Sequence, residues 1–263
     1  MKTITSRDNP LFKKIRGLAL DSREIRKQGK TLLDGPHLVE TYRRKIGHPE
    51  FLIVSESGLA LPEVEALLAK HDSDKTLCLK DALFKELAPT ETPVGVLAVI
   101  AIPVEIAIPV SPCDCVLLDA MQDAGNVGAI IRSALAFGIQ HVYLGMGCAG
   151  AWTPKVLRAA QGAHFSLHIH ERVDLGEVLS AYQGARLATV VDAANSLYAV
   201  PLSKPVALVI GNEGQGLSPH LVSLCDYRVT IPMSNECESL NAAVAASICM
   251  SEMSRQKASN GLA

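Results

Sequence analysis

Apolar and polar positions follow two rhythms along this chain. Short apolar runs closed by Gly, Pro or Asn alternate with stretches in which apolar residues return every three or four positions. The short runs predict strands at Thr31–Asp34, Phe51–Val54, Lys75–Leu79 and Val94–Ile102. They recur at Val116–Leu118, His141–Leu144, Leu187–Val191, Val206–Ile210 and Tyr227–Ile231. The slower rhythm predicts helices over Pro36–Lys45, Pro62–His71, Asp81–Ala88, Asp174–Tyr182 and Ser218–Leu224. Two more run from just after Gly128 through Phe137, closed by Gly138, and from Leu240 to about Lys257. Residues 1–30 read as two basic helices, the first with Leu11, Ile15 and Leu18 on one face, the second capped by Ser22. Strands alternating with helices predict an α/β protein, with five or six buried parallel strands in its second half.

Pro103, Pro109, Ser111 and Pro112 interrupt this alternation and predict a linker. The boundary is expected near residue 108, between a small α/β domain (1–108) and a second domain (109–263). Charge sharpens that division. The net charge is only −2, yet residues 1–45 hold 12 Lys and Arg against 5 Asp and Glu, and the remainder holds 13 against 22. A basic front suggests a polyanion-binding arm through Lys13, Lys14, Arg16, Arg23, Arg26 and Lys27; a solvated helical surface accounts for the same counts. Seven scattered cysteines without a framework point to reduced thiols and a cytoplasmic protein. Met1–Pro10 has no apolar core, so no signal peptide is expected, and no apolar run reaches the length of a membrane span. No Cys, Asp or Glu arrangement completes a ligand set around His168 and His170, so no metal is expected and the pair reads as one strand pointing two imidazoles to the same face.

The candidate chemistry gathers at strand ends. Val206–Ile210 runs into Gly211-Asn212-Glu213-Gly214-Gln215-Gly216-Leu217, and Tyr227–Ile231 stops at Pro232 shortly before a helix opens near Leu240. Ligands of open α/β sheets sit outside the carboxyl ends of strands. A second glycine-rich stretch, Gly145-Met146-Gly147-Cys148-Ala149-Gly150, fits a dinucleotide-binding spacing, with Glu171 about where a ribose-binding acid would stand. That fingerprint requires a helix opening inside the glycine turn, whereas Thr153-Pro154 places the helix start later, so this stretch reads as a loop. Lys155 and Arg158 on that later helix either face a polyanion or are solvated.

Three segments carry a resemblance. Asn126-Val127-Gly128 with Ile131-Arg132-Ser133-Ala134, Ile210-Gly211-Asn212-Glu213-Gly214 with Gly216-Leu217, and Ile231-Pro232-Met233 with Ser239-Leu240-Asn241 resemble the three ordered motifs of the SpoU (TrmH) family. These are SPOUT-class RNA 2′-O-ribose methyltransferases. The resemblance covers residues 113–257, and the front domain is more loosely similar to the ribosomal-protein-like RNA-binding domain often attached to them. It implies a trefoil knot at the C-terminal end of the sheet, S-adenosylmethionine as methyl donor, a homodimer, and structured RNA as substrate, ribosomal RNA ahead of transfer RNA. It carries over Asn126, Arg132, Glu213, Ser239 and Asn241 as catalytic positions, and Gly211, Ile231, Met233 and Leu240 as the cofactor pocket. The sequence departs from many relatives at Asn235, where they have glycine, and Glu236 and Glu238 add negative charge beside it. A non-catalytic RNA-binding protein that keeps the fold is the competing reading, and a nicotinamide-binding protein a remote third. Judged as isolated residues, Asn126, Ser239 and Asn241 would most often be helix caps and Arg132 a surface residue.

Overall fold

The computed structural model describes residues 1–90, 92–104, 113–234 and 236–259. Their contacts fall into two compact units: Met1–Val104 with Trp152–Phe165, and the rest of the chain. The expected linker prolines Pro109 and Pro112, and the boundary at 108, lie outside the described residues.

The first unit runs β1 (Lys2–Ile4), α1 (Pro10–Leu20), α2 (Ser22–Gln28), β2 (Lys30–Asp34), α3 (Pro36–Lys45), β3 (Phe51–Ser55), α4 (Pro62–Leu68), β4 (Thr76–Leu79), α5 (Asp81–Lys85) and β5 (Val96–Ala101). Its sheet has the order β1-β4-β3-β5-β2. Strand β5 is antiparallel to both neighbours and the other pairings are parallel. Residues 1–30 are thus not wholly helical. Lys2–Ile4 pairs with Leu77–Leu79 and buries only Ile4, which is too short a pattern to show periodicity. Asp21, not Ser22, caps α2: its carboxylate accepts the Arg23 N–H at 2.7 Å, and a negative charge there also favours the helix dipole.

The second unit contains β6 (Cys115–Leu118), α6 (Ala124–Ala136) and β7 (His141–Gly145). The chain then lends α7 (Pro154–Ala160) to the first unit before returning with β8 (His168–Val173), α8 (Leu175–Ala181) and β9 (Ala185–Thr189). It ends with β10 (Asn195–Ser196), β11 (Val206–Ile210), α9 (Pro219–Leu224), β12 (Tyr227–Thr230) and α10 (Ala242–Ser259). Seven strands form one wholly parallel sheet in the order β10-β12-β9-β11-β6-β7-β8. That exceeds the expected five or six by the two-residue β10, while β8 is the strand expected at His168 and His170. On one face Cys115, Leu117, Tyr143, Ala207 and Val209 pack against Leu175, Leu179 and Leu221 of α8 and α9. Helices α6 and α10 pack on each other, with the Ser133 and Ser247 hydroxyls 2.8 Å apart. Leu240 precedes α10 instead of starting it.

The second half of the sequence is therefore not one contiguous unit. Val156, Leu157 and Ala160 of α7 are fully buried in the first unit, the Tyr42 and Phe165 rings meet edge to face, and the Thr31 hydroxyl donates to the Trp152 carbonyl at 2.5 Å. Arg158 pairs with Asp34, whose side chain is wholly buried. Desolvation pushes the Asp34 carboxyl up against the pull of Arg158. Its second oxygen has no hydrogen-bond partner among the described residues, so the charged form of Asp34 leans on Arg158. Arg158→Met should keep the packing of the stem but strand this carboxylate, destabilising the chain by about 3 kcal/mol at neutral pH. A carboxyl raised in the folded state costs stability above its folded pKa and is relieved as pH falls through it, so the deficit should shrink towards acid. Urea unfolding at two pH values checks this; equal midpoints for both proteins at neutral pH would contradict it.

Candidate active site

Strands β6, β9, β11 and β12 end on one edge of the sheet, and the loops after β6, β11 and β12 meet there. Each loop leaves backbone groups that no strand can pair. After β11 the chain folds back sharply: Asn212 and Gly216 exchange backbone hydrogen bonds at 3.0 and 2.9 Å. A side chain at Gly211 would sit 2.3 to 2.6 Å from backbone atoms of Gly216 and Leu217, so glycine is required by the chain's own return. The Asn212 carboxamide staples this loop. Its oxygen accepts from Gly214 N and Gln215 N at 2.9 and 3.1 Å, and its nitrogen donates to the Ala120 carbonyl at 2.7 Å. Ala120 is held in left-handed backbone (φ 49°), a cost this bond helps offset. Asp119 adds a second tie by accepting the Ser218 N–H at 2.9 Å.

The three motifs are joined by side chains. Asp123 caps α6 by accepting the Asn126 N–H at 2.7 Å, so Asn126 is not the cap and its carboxamide is free for other partners. Asn126 Nδ2 donates to Glu213 Oε1 at 3.0 Å. Asn241 Nδ2 donates to Asn126 Oδ1 at 2.9 Å, while Asn241 Oδ1 accepts from Ala243 N and Val244 N at 2.9 and 3.2 Å. Asn241 is thus both the cap of α10 and the link to α6. Glu213 also accepts from Gln122 N and Asp123 N at 3.5 and 3.3 Å. Desolvation raises the Glu213 carboxyl, and the hydrogen bonds from Asn126, from its own backbone N–H, from Asp123 and from Gln122 more than reverse this, holding it below the ordinary glutamate value.

Beside this network lies a cavity of about 650 Å³, inside the range of small-ligand sites. Gly211, Ile231, Met233 and Leu240 all line it, as do Glu213, Ser239 and Asn241. Ser239 is exposed and caps no helix. Sequence reasoning missed Thr189, Val190 and Val191, which also line the cavity at and just after the end of β9, and missed Asn212 as the staple. The signal for the first three was available, since their strand ends on the same edge. Asn235 lies outside the described residues. Two of the expected catalytic residues do not line it: Asn126 lines the adjoining groove and is tied to the site through Glu213 and Asn241, while Arg132 is exposed on α6, six residues and about 9 Å of helix axis beyond Asn126.

The expected polyanion-binding residues divide too. Lys13 pairs with Asp8 at 2.9 Å, Arg16 with Glu86 at 3.3 Å and Lys27 with Glu24 at 3.4 Å, whereas Lys14, Arg23 and Arg26 are exposed without an acidic partner among the described residues. Lys155 is exposed; Arg158 is committed to Asp34 and so is not available to a polyanion. The glycine stretch at 145–150 is the loop expected of it. Helix α7 opens only at Pro154, and Glu171 accepts the Ala151 N–H at 2.6 Å. All seven cysteines are free thiols. Among the described residues no helix is long and apolar enough to cross a membrane, and no cluster of His, Cys, Asp or Glu could hold a metal ion.

Gly211→Ala tests the return of the loop after β11. The added Cβ collides with the chain's own backbone before it reaches any ligand, so the Asn212–Gly216 bonds should open at a cost of about 1–3 kcal/mol. Faster amide exchange at Asn212 and Gly216 with the rest of the sheet unchanged is the expected result; unchanged exchange there would contradict it.

The chain is similar to known RNA methyltransferases. Residues 115–251 match the model of the SpoU rRNA Methylase family. The chain is 32% identical over 250 residues to the 23S rRNA (guanosine(2553)-2′-O)-methyltransferase RlmP of Bacillus subtilis, covering 94% of this chain and 97% of that protein. It is 31% identical over 263 residues to an uncharacterized tRNA/rRNA methyltransferase of Synechocystis, covering 97% and 94%. Among solved structures it is similar to the SpoU methyltransferase AviRb of Streptomyces viridochromogenes in complex with the cofactor AdoMet, with a TM-score of 0.86, 28% identity, and 95% and 99% of the two chains covered.

Proposed function

The chain belongs to the SpoU rRNA Methylase family, and from that premise we propose that it transfers a methyl group from S-adenosylmethionine to a ribose 2′-hydroxyl of ribosomal RNA. The observation that carries this reading is the joining of all three motifs, through Glu213, Asn126 and Asn241, at the rim of one cavity. That cavity has the volume for a nucleoside cofactor. Its loop backbones offer N–H and C=O groups for an adenine edge, and Ile231, Met233 and Leu240 offer apolar faces for the ring. When bound, S-adenosylmethionine supplies an electrophilic methyl group. The chain's task is then to align a poor nucleophile and hold its proton's destination nearby. Asn126 and Asn241 orient the ribose, Ser239 adds a hydroxyl at the rim, and Glu213 holds the two asparagines. A guanidinium is always protonated, so Arg132 acts as a clamp on the neighbouring phosphate, which takes the hydroxyl proton.

The same reading includes a trefoil knot at this edge of the sheet and a homodimer through α6 and α10. Val244, 47% exposed, with Ile248 and the 56% exposed Tyr198 lines an open apolar groove beside Asn126 and Asn241. A single chain leaves that groove bare and Arg132 away from the cavity, which supports a site finished by a second copy. A monomer in sedimentation at micromolar concentration would contradict the dimer. RNA affinity is assigned to the first unit, where Lys14, Arg23 and Arg26 stand free, and where Lys13, Arg16 and Lys27 can exchange weak surface partners for phosphate. Transfer RNA is the alternative substrate.

Arg132→Ala should lower methyl transfer to ribosomal RNA at least a hundredfold, on the order of one lost transition-state clamp, while the S-adenosylmethionine affinity measured by calorimetry stays within about threefold. Equal loss of both would remove Arg132 from this role. Lys14→Glu with Arg23→Glu and Arg26→Glu should weaken binding of all RNAs alike and flatten the salt dependence of log K by roughly 2 to 3, since each phosphate contact contributes nearly one unit of slope. Filter binding over a salt series reads this; an unchanged slope would move the RNA surface off α1 and α2.

A further inference from the structure

We infer that Arg172 and Met146 make a second contact to the RNA, holding a nucleotide that flanks the target ribose: the Arg172 guanidinium on its phosphate and the Met146 side chain against its base. The inference rests on the methyltransferase reading above and adds a surface to which that reading gives no part. It starts from a backbone outlier. Among the described residues, Ala120, Gln161 and Arg172 are the ones other than glycine with left-handed backbone. Ala120 is held by Asn212, and Gln161 ends α7, where helices commonly close in this conformation. Arg172 is neither. It is the extra residue of a bulge near the end of the edge strand β8: Leu144 pairs with Glu171 and Gly145 with Val173, so nothing stands opposite Arg172. Its φ is 57°, a region that glycine or asparagine enters at lower cost. The side chain is exposed, without an acidic partner among the described residues. The carboxylates on either side are engaged with backbone: Glu171 accepts the Ala151 N–H at 2.6 Å, and Asp174 accepts from Gly176 N and Glu177 N at 2.8 and 3.1 Å. Bulges re-aim side chains, and strained backbone gathers at functional sites. Here the re-aimed side chain is a cation left to solvent.

The glycine stretch after β7 supplies the second element. It is fixed to the loop after β6, which opens the Asn126 motif. Ala149 N–H donates to the Met121 carbonyl at 2.8 Å, and the Cys148 thiol donates to the Leu118 carbonyl at 3.2 Å while accepting the Met121 N–H at 3.3 Å. Burial pushes the Cys148 thiol up to about 11, so it keeps the proton it donates. A side chain at Gly147 would meet the Cβ of Ala120 at 3.4 Å, and Ala151 ties the other end of the stretch to Glu171. Within this fixed loop Met146 is 57% exposed. The sheet order sets its direction from the site. The cavity lies at the ends of β9, β11 and β12, whereas β7 and β8 lie on the opposite side of β6. At about 4.8 Å between neighbouring strands, the end of β8 stands roughly 10 Å from that of β6, a nucleotide or two along a bound strand. An RNA strand leaving Asn126 away from the cofactor therefore passes over Met146 and Arg172. A planar cation suits a phosphate, and a pliable thioether suits the face of an unstacked base. A protein partner would need a far larger apolar area than one methionine.

The test compares full-length wild type with Arg172→Gly, Arg172→Lys and Met146→Ser. Each is titrated by filter binding with transcribed ribosomal RNA over a salt series, and assayed with the same RNA and labelled S-adenosylmethionine. Arg172→Gly removes the guanidinium and relieves the backbone, so a merely structural role and an RNA role predict opposite results. Its urea midpoint should rise. Its RNA binding should weaken about tenfold, and the salt slope of log K should fall by roughly 0.7 to 0.9, the share of one phosphate. KM for RNA should rise by about the same factor while kcat falls less than about threefold. Arg172→Lys should keep the slope, since it keeps the charge. Met146→Ser should weaken binding about threefold with the slope unchanged. Cofactor affinity measured by calorimetry should stay within about twofold throughout. An Arg172→Gly protein that binds RNA as the wild type does would overturn the inference. So would a lowered urea midpoint, which would make Arg172 a structural prop, or a changed sedimentation coefficient, which would make this face a protein interface. No transfer by the wild type to any RNA would overturn the methyltransferase reading instead, and the binding titrations would still decide on Arg172 and Met146.

Discussion

Parallel strands that end on one edge of a sheet release their chains together, and each emerging loop carries N–H and C=O groups with no strand to pair them. The site is built from the answer to that problem. Asn212 satisfies its own loop and the carbonyl of left-handed Ala120; Asp119 reaches the N–H of Ser218; Asp123 and Asn241 cap the two helices that leave the edge. Because each loop is tied to a neighbour, three stretches spread between Asp119 and Asn241 are held in one arrangement. Glu213 closes the set. Its exposed carboxylate gathers two backbone N–H groups and one carboxamide.

Much of this architecture is legible in the residues. Pro36–Lys45 and Val206–Ile210 form within the bounds their patterns predict, since each is long, strongly apolar on its inner positions and punctuated by proline or glycine. The parallel sheet follows from alternation. The strand at His168 and His170 forms as expected; the two rings group with those of His141 and Tyr143, and burial together with the neighbouring imidazoles lowers the His141 pKa to about 4. What escapes is of two kinds. Short edge elements such as Lys2–Ile4 and Asn195–Ser196 carry too few residues to show a period. Membership of α7 in the first unit hides because it depends on what Val156 and Leu157 pack against, and an apolar stripe does not name its partner.

The candidate site divides the same way. The cofactor-side residues Gly211, Ile231, Met233 and Leu240 are named by the motifs and do share one cavity. The linkage of Asn126 to Glu213 and Asn241 is not legible, because partners 87 and 115 residues away in sequence meet only through the fold. Arg132 shows the limit from the other side. The motif that names it says nothing of where its side chain acts, and within one chain it stands on a bare face of α6. The charge count points to the front of the sequence, and the structure refines it: some of those cations hold carboxylates, others hold none among the described residues, and Arg158 belongs to a buried pair.

Family membership puts the methyl group on a ribose oxygen and not on a base. A 2′-O-methyl group blocks alkaline cleavage of the adjoining phosphodiester, because that cleavage needs the free 2′-hydroxyl. The purified chain is incubated with unmodified ribosomal RNA and methyl-labelled S-adenosylmethionine, and the product is digested with alkali. The label should appear in an alkali-resistant dinucleotide from a single position. Label in an ordinary mononucleotide, which places the methyl group on a base, would contradict it.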